Sequence, residues 1–69
     1  MAYMNRGYVL KSKGNYKEAI ADYNQALKID PGYVDAYINR CDAYCDMGEY
    51  NKAGSDADSA LKLKPKALV

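Results

Sequence analysis

The chain has 69 residues, with 10 basic and 9 acidic side chains and a net charge of +1. A chain of this length forms at most one domain, which excludes a conventional enzyme with two substrate-binding lobes. The near-neutral charge gives no chain-wide electrostatic reason to expect a nucleic acid or an anionic membrane as a partner. No apolar run reaches the roughly 20 residues of a transmembrane helix and no leader resembles a signal peptide, so we expect a cytoplasmic protein.

The apolar pattern predicts helices, and these span residues 2–13, 16–29, 35–47 and 50–63. In the first helix Tyr3, Gly7 and Leu10 recur at i, i+4 and i+7, which is the spacing of one helix face. Gly14 is suited to the left-handed conformation that ends a helix. Asn15, with Glu18 three residues later, predicts an N-cap and a capping box for the second helix.

The sequence then repeats itself with a shift of 34 residues. Pro31 and Pro65 are related by this shift, and each is expected to end the second helix of its unit because proline lacks the amide donor. The same shift pairs Ala2 with Ala36, Tyr3 with Tyr37, Asn5 with Asn39, Arg6 with Arg40, Gly14 with Gly48, Tyr16 with Tyr50, Ala19 with Ala53, Asp22 with Asp56, Ala26 with Ala60, Leu27 with Leu61 and Lys28 with Lys62. Two copies of one helix-turn-helix unit are therefore predicted, at residues 1–34 and 35–69, the second with a short basic tail.

With this period and these residues, the chain resembles the tetratricopeptide repeat family over essentially its whole length. The residues that carry the resemblance are Tyr3, Gly7, Gly14, Tyr16, Ala19, Tyr23, Ala26 and Pro31 in the first unit, and Tyr37, Cys41, Tyr44, Gly48, Tyr50, Ala53, Ala60 and Pro65 in the second. The resemblance implies an all-α fold in which two repeats stack as a short right-handed solenoid. The small residues and tyrosines are interpreted as packing positions between helices.

The resemblance also implies a function, that of a non-enzymatic protein–protein interaction module. Such a module holds a peptide segment in a groove lined by the first helix of each repeat, the A helix. The groove positions would be Met4, Asn5, Tyr8, Lys11 and Ser12 in the first repeat, and Asp35, Ile38, Asn39, Asp42, Cys45 and Asp46 in the second. Met4, Tyr8 and Ile38 are apolar groups that can anchor a partner, although isolated exposed apolar residues are also common.

Acidic residues are concentrated on the third predicted helix, where Asp35, Asp42 and Asp46 share one face. One hypothesis is that this face prefers a partner segment that carries lysine or arginine; the alternative is a solvated face that serves only solubility. In chaperone co-factors of the family, a clamp of asparagine, lysine and arginine residues holds a C-terminal carboxylate. Asn39 matches one clamp asparagine, but Met4 and Tyr8 occupy clamp positions that need lysine and asparagine, so this activity is not expected.

No metal, cofactor or catalytic site is expected. Histidine is absent, and the glycines occur singly rather than as a phosphate-binding loop. Cys41 and Cys45 offer two thiolates on one helix, but nothing completes a set of four ligands. Cys41 is interpreted as a packing residue, whereas Cys45 is a candidate for a free reactive thiol.

The last helix departs from the pattern in a way that bears on association. Gly54 and Ala57 stand where the first unit has Ile20 and Tyr23, so this helix is expected to be the loosest. Repeat arrays generally need three or more units with caps. Apolar surface is therefore expected at both ends of the stack, and with it a homo-oligomer, a dimer or a higher oligomer, for which exchange of helices between chains is one route. The remaining alternatives are a structural self-association unit, or a fragment or engineered scaffold of a longer array.

Overall fold

The computed structural model describes residues 2–63, and within this range it contains four α-helices and no strand. The helices are α1 (Ala2–Ser12), α2 (Tyr16–Ile29), α3 (Val34–Asp46) and α4 (Tyr50–Leu63). Consecutive helices pack against each other, and α1 also contacts α3. The all-α architecture of two helical hairpins is thus as predicted. The predictions about Pro65 and the basic tail concern residues outside the described range.

Both hairpin turns are built around a glycine with a positive φ. Gly14 has φ 85° and Gly48 has φ 80°. In the first turn the Asn15 N–H donates to the Leu10 carbonyl at 2.8 Å and the Gly14 N–H donates to the Lys11 carbonyl at 2.9 Å. These two bonds form a Schellman motif, which satisfies the last carbonyls of α1. The left-handed glycine expected at the end of the first helix is present.

The predicted capping box at the start of α2 is wrong. Asn15 is the N-cap residue, but its side chain makes no capping hydrogen bond. A capping box needs the side chain of Glu18 to accept the Asn15 N–H, and that N–H is already bonded to Leu10 in the Schellman turn. The carbonyl of Asn15 still accepts the first helical bond, from Ala19 N–H at 3.0 Å. The backbone of the turn thus takes the N–H that a capping box would have bonded to Glu18.

The α2–α3 connection follows from Pro31. The preceding residue, Asp30, has φ −136° and ψ 92°, the extended geometry that a proline imposes on the residue before it. The Asp30 carboxylate accepts the Gly32 N–H at 3.1 Å, and the Asp30 carbonyl accepts the Tyr33 N–H at 3.1 Å. This tight turn ends α2 where predicted and lets α3 return antiparallel to it.

Tyr23 is the centre of the core. Its side chain is fully buried between α1, α2 and α3, and a Cβ at Gly7 would lie 2.7 Å from its Cε1 atom. Only glycine at position 7 lets α1 approach this closely. The core cluster comprises Met4, Ala19, Tyr23, Ala26, Leu27 and Ala36, with Tyr3, Leu10, Tyr33 and Tyr37 packed against it.

Met4 corrects the predicted groove. It was expected on the exposed side of the first A helix, but its side chain is 7% exposed and belongs to the core cluster. Alanines at positions 26 and 36 leave space beside α1, and the flexible, unbranched methionine fills it. Met4 is therefore a packing residue and is removed from the candidate site.

The outermost helix, α4, buries far less than α2. Among its side chains only Ala53 and Asp56 are buried, and Leu61 is 46% exposed where its counterpart Leu27 is 9% exposed. Tyr50, predicted to pack, is instead 70% exposed. The reason is that α2 lies between α1 and α3, whereas α4 packs only on α3 within the described range. No helix of residues 2–63 is long and apolar enough to cross a membrane.

Candidate functional site

The two A helices, α1 and α3, are joined on their exposed side by an ion pair. Lys11 Nζ donates to Asp42 Oδ2 at 3.3 Å. The Lys11 side chain is 15% exposed, and its Nζ lies 5.5 Å from the centre of the Tyr8 ring. An ion pair at the surface contributes at most about 1 kcal/mol to stability. The main effect of this pair is to hold the Lys11 side chain of α1 against α3.

The side chains on this side of α1 and α3 are referred to here as the α1–α3 face. Its members are Asn5, Tyr8, Lys11, Ser12, Asp35, Ile38, Asn39, Asp42, Cys45 and Asp46. Lys11 and Asn39 are half-buried and the others are exposed. Direct contacts bring together Tyr8, Lys11 and Asp42, and the Ser12 hydroxyl donates to the Tyr8 carbonyl at 3.0 Å. The other residues share the face through helical spacing.

Two large apolar side chains are exposed on this face. Tyr8 on α1 is 56% exposed and Ile38 on α3 is 46% exposed. Ile38 precedes Asp42 by one turn and Tyr8 precedes Lys11 by one turn, so the two apolar groups and the ion pair lie on the same side of their helices. The arrangement offers apolar contact area next to charged groups.

The charge of the face is acidic. Lys11 is its one basic residue, whereas α3 contributes Asp35, Asp42 and Asp46. Asp35 lies in the first turn of α3, where the helix dipole favours a negative charge. Since Lys11 is engaged by Asp42, the carboxylates of Asp35 and Asp46 are left as the charges available to a ligand.

The cysteines of α3 differ in exposure. Both are free thiols; Cys41 is half-buried and Cys45 is exposed. Burial, followed by the nearby Cys45, raises the pKa of the Cys41 thiol, which makes Cys41 less reactive because the thiolate is the nucleophile. Among residues 2–63 no group of three or more histidine, cysteine or acidic side chains is placed to hold a metal ion.

Sequence reasoning missed a pair of buried carboxylates. Asp22 is 5% exposed and Asp56 is 4% exposed, and each accepts two hydrogen bonds from an arginine. Arg6 donates to Asp22 from Nε at 2.8 Å and from Nη2 at 2.7 Å. Arg40 donates to Asp56 from Nε at 2.8 Å and from Nη2 at 2.6 Å. The available signal was an arginine and an aspartate 16 residues apart, repeated in both units.

Among the described residues, Arg40 makes one hydrogen bond that has no equivalent at Arg6. Its Nη1 donates to Asn24 Oδ1 of α2 at 2.7 Å, so Arg40 links α3 to both α2 and α4. The Arg40 side chain is accordingly 20% exposed, whereas that of Arg6 is 66% exposed. The arginine pairs hold each hairpin together, and the Asn24 contact joins one hairpin to the next.

Comparison with known protein families agrees with this arrangement. A family model described as TPR repeat, the tetratricopeptide repeat, matches residues 7–48. This range is more than half of the chain and runs from the middle of α1 through α2 and α3 to the turn before α4. No curated protein matches the chain. The chain therefore belongs to the tetratricopeptide repeat family, whose repeats generally serve as non-catalytic protein-interaction modules.

Proposed function

We propose that this protein binds a peptide segment of a partner protein along the α1–α3 face. The observation that carries the proposal is the exposure of Tyr8 and Ile38 on the two A helices, next to the Lys11–Asp42 ion pair. An aromatic ring and a branched aliphatic side chain are effective anchors when a ligand covers them. The neighbouring polar groups then give the ligand its orientation.

Two asparagines support recognition of a peptide backbone. Asn5 on α1 is exposed and Asn39 on α3 is half-buried, and the two are related by the 34-residue repeat. An amide side chain can both donate and accept a hydrogen bond, so each can pair with a peptide group of the ligand. Because Asn39 is half-buried, its side chain has less freedom to lose on binding than that of an exposed residue.

The charge of the face favours a partner segment that contains lysine or arginine. Asp35 and Asp46 are exposed and make no ion pair among residues 2–63. A basic side chain placed near either carboxylate gains a favourable interaction and faster association, and both effects weaken with added salt. A ligand rich in acidic residues is repelled by the same carboxylates.

The test uses an array of immobilised peptides in which every lysine- or arginine-containing member is paired with its glutamate analogue. We expect binding to the basic members. Ile38→Glu should weaken that binding about tenfold or more, because it removes an anchor worth roughly 1.4 kcal/mol or more. The matched control is Ile29→Glu, since Ile29 is 61% exposed at the end of α2, outside the α1–α3 face.

Equal losses in Ile38→Glu and Ile29→Glu would contradict the proposed face. Equal binding to basic and glutamate peptides would contradict the charge preference alone. Circular dichroism of both variants must match the parent chain, so that a loss of binding is not a loss of folding.

A further inference from the structure

Each outer helix of the molecule has an inner helix as its repeat equivalent: α1 is equivalent to α3, and α4 is equivalent to α2. The 34-residue repeat relates α1 to α3 and α2 to α4, so the packed α2–α3 pair inside the molecule has an unassembled counterpart, made by α4 of one chain and α1 of another. The two exposed surfaces can be compared, residue by residue, with the contact that α2 and α3 already make.

Exposure at equivalent positions shows what the inner contact buries. Leu27 on α2 is 9% exposed and Leu61 on α4 is 46% exposed. Ala43 on α3 is fully buried, whereas Val9 on α1 is 49% exposed. In each hairpin the A helix packs against its own second helix, and α3 packs against α2 in addition. Val9 and Leu61 are thus the apolar groups that such a contact would cover.

The polar contact across the inner interface also has its counterpart. Arg40 Nη1 donates to Asn24 Oδ1 at 2.7 Å. Arg6 is the equivalent of Arg40, and among the described residues its Nη1 has no partner. The position equivalent to Asn24 on α4 is Asp58, which is exposed. The Arg40–Asn24 bond has a charged donor and a neutral acceptor; with a carboxylate as the acceptor both groups are charged, so the contact is also an ion pair.

The inner and outer contacts each pair a large residue with a small one, but the large residue lies on opposite helices: on α2 in the inner contact and on α1 in the outer one. Arg40 on α3 bonds Asn24 on α2, and the two consecutive helices run antiparallel. Helical register therefore puts Ile20, one turn before Asn24, opposite Ala43, about one turn after Arg40. The equivalents of this large and small pair are Gly54 and Val9. A Cβ at Gly54 would have no atom within 4 Å, so the open space over Gly54 on one copy can receive the larger Val9 of another.

We propose that copies of this chain stack head to tail, with α4 of one copy packed against α1 of the next as α2 packs against α3. Arg6 of one copy donates from Nη1 to the Asp58 carboxylate of its neighbour, and Val9 lies over Gly54. The two surfaces differ, so the contact is heterologous and leaves a free end of each kind for further copies. The stack does not require the α1–α3 face to bind a peptide.

The experiment blocks one end at a time. Asp58→Arg places two guanidinium groups opposite each other at the α4 end, and Val9→Arg places a charge in the apolar contact at the α1 end. We expect the parent chain to show a mass that rises with concentration in sedimentation equilibrium, and each variant to associate about tenfold or more weakly. Asp46→Arg, with the same charge change on α3, should associate like the parent.

Mixing the two variants tests the head-to-tail geometry. The Asp58→Arg chain keeps an intact α1 end and the Val9→Arg chain keeps an intact α4 end, so their equimolar mixture should form a one-to-one dimer that goes no further. A symmetric dimer, or one formed by helix exchange, would not show this pattern. A mixture that stays monomeric, or a parent chain that is monomeric up to millimolar concentration, overturns the proposal.

A conservative variant guards against loss of folding. Should Asp58→Arg have less helix than the parent, Asp58→Asn is used, because it restores the amide that α2 carries at Asn24. Its association must then depend less on salt concentration than that of the parent, since a charged pair has become a neutral acceptor. An unchanged salt dependence overturns the Arg6–Asp58 contact.

Discussion

Asp22 and Asp56 are carboxylates that the fold has taken almost entirely out of water, and each depends on one arginine. A buried charge without a partner is costly, and the fork of a guanidinium meets both oxygens of a carboxylate at once. Hydrogen bonds from Arg6 hold the pKa of Asp22 below its ordinary value. These pairs also link the two helices of each hairpin, α1 to α2 and α3 to α4.

The stability of the fold should therefore depend on pH through Asp22. Its folded pKa is lowered, so the unfolded chain binds a proton more readily than the folded one. The stabilisation is present above the ordinary carboxyl pKa of about 4 and is lost as the pH falls through the lower folded value. Urea titrations at a series of pH values, followed by circular dichroism, should show a smaller loss in this window for Asp22→Asn.

The control for this titration is Asp46→Asn. Asp46 is exposed and makes no ion pair among residues 2–63, so this variant should keep the pH dependence of the parent. If Asp22→Asn and the parent lose stability in parallel as the pH falls, the ion pair with Arg6 does not contribute as described.

At the scale of the helices, two glycines within helices have opposite surroundings. Gly7 in α1 faces the Tyr23 ring, with Cε1 2.7 Å and Cδ1 3.0 Å from the position of a Cβ. Gly54 in α4 has no atom within 4 Å of that position. The Tyr23 ring is fully buried and has no room to move away. The same substitution should thus have opposite effects at the two positions.

Gly7→Ala should destabilise the chain by about 1–3 kcal/mol, because the added methyl group overpacks the α1–α2 contact. Gly54→Ala should stabilise it by about 0.5–1 kcal/mol, since alanine is the better helix former and nothing opposes its methyl group. Urea unfolding at a low protein concentration gives both values. Stabilisation by Gly7→Ala would mean that α1 does not approach Tyr23 this closely.

At the scale of the whole molecule, stability is distributed unevenly along the array. α2 lies between two neighbours and buries Ala19, Ile20, Asp22, Tyr23, Ala26 and Leu27. α4 has one neighbour in the described range and buries Ala53 and Asp56. In a repeat array each helix is stabilised mainly by those beside it. The expectation that the last helix is the loosest follows from its lack of large buried side chains.

Hydrogen exchange should reveal this difference. At low protein concentration, amide protons of α4 should exchange about tenfold or more faster than those of α2, because α4 can open without disturbing the Tyr23 core. Exchange measured by nuclear magnetic resonance resolves the two helices. Equal protection in α2 and α4 would instead indicate a single cooperative unit.

Position along each helix was predictable from sequence, but burial was predictable only in part. Exposure of Tyr8, Ile38 and Cys45 agrees with the predicted side of the A helices. Met4 has the same helical spacing and is nevertheless buried, because spacing identifies a side of the helix and not how far a neighbouring helix extends over it. For Tyr50 the prediction was wrong in the opposite sense: it was expected to pack and is exposed, since within residues 2–63 its helix packs against α3 alone.

The sequence by itself determined the helices and their connections, because these depend on residues close together in the chain. Glycine is needed for a positive φ at Gly14 and Gly48, and Pro31 ends a helix without reference to anything distant. Only the tertiary structure decided which side chains become partners. The Arg6–Asp22 and Arg40–Asp56 pairs, the Asn24 link and the burial of Met4 all depend on how closely the helices approach one another, and that distance is set by the packing of side chains from different helices.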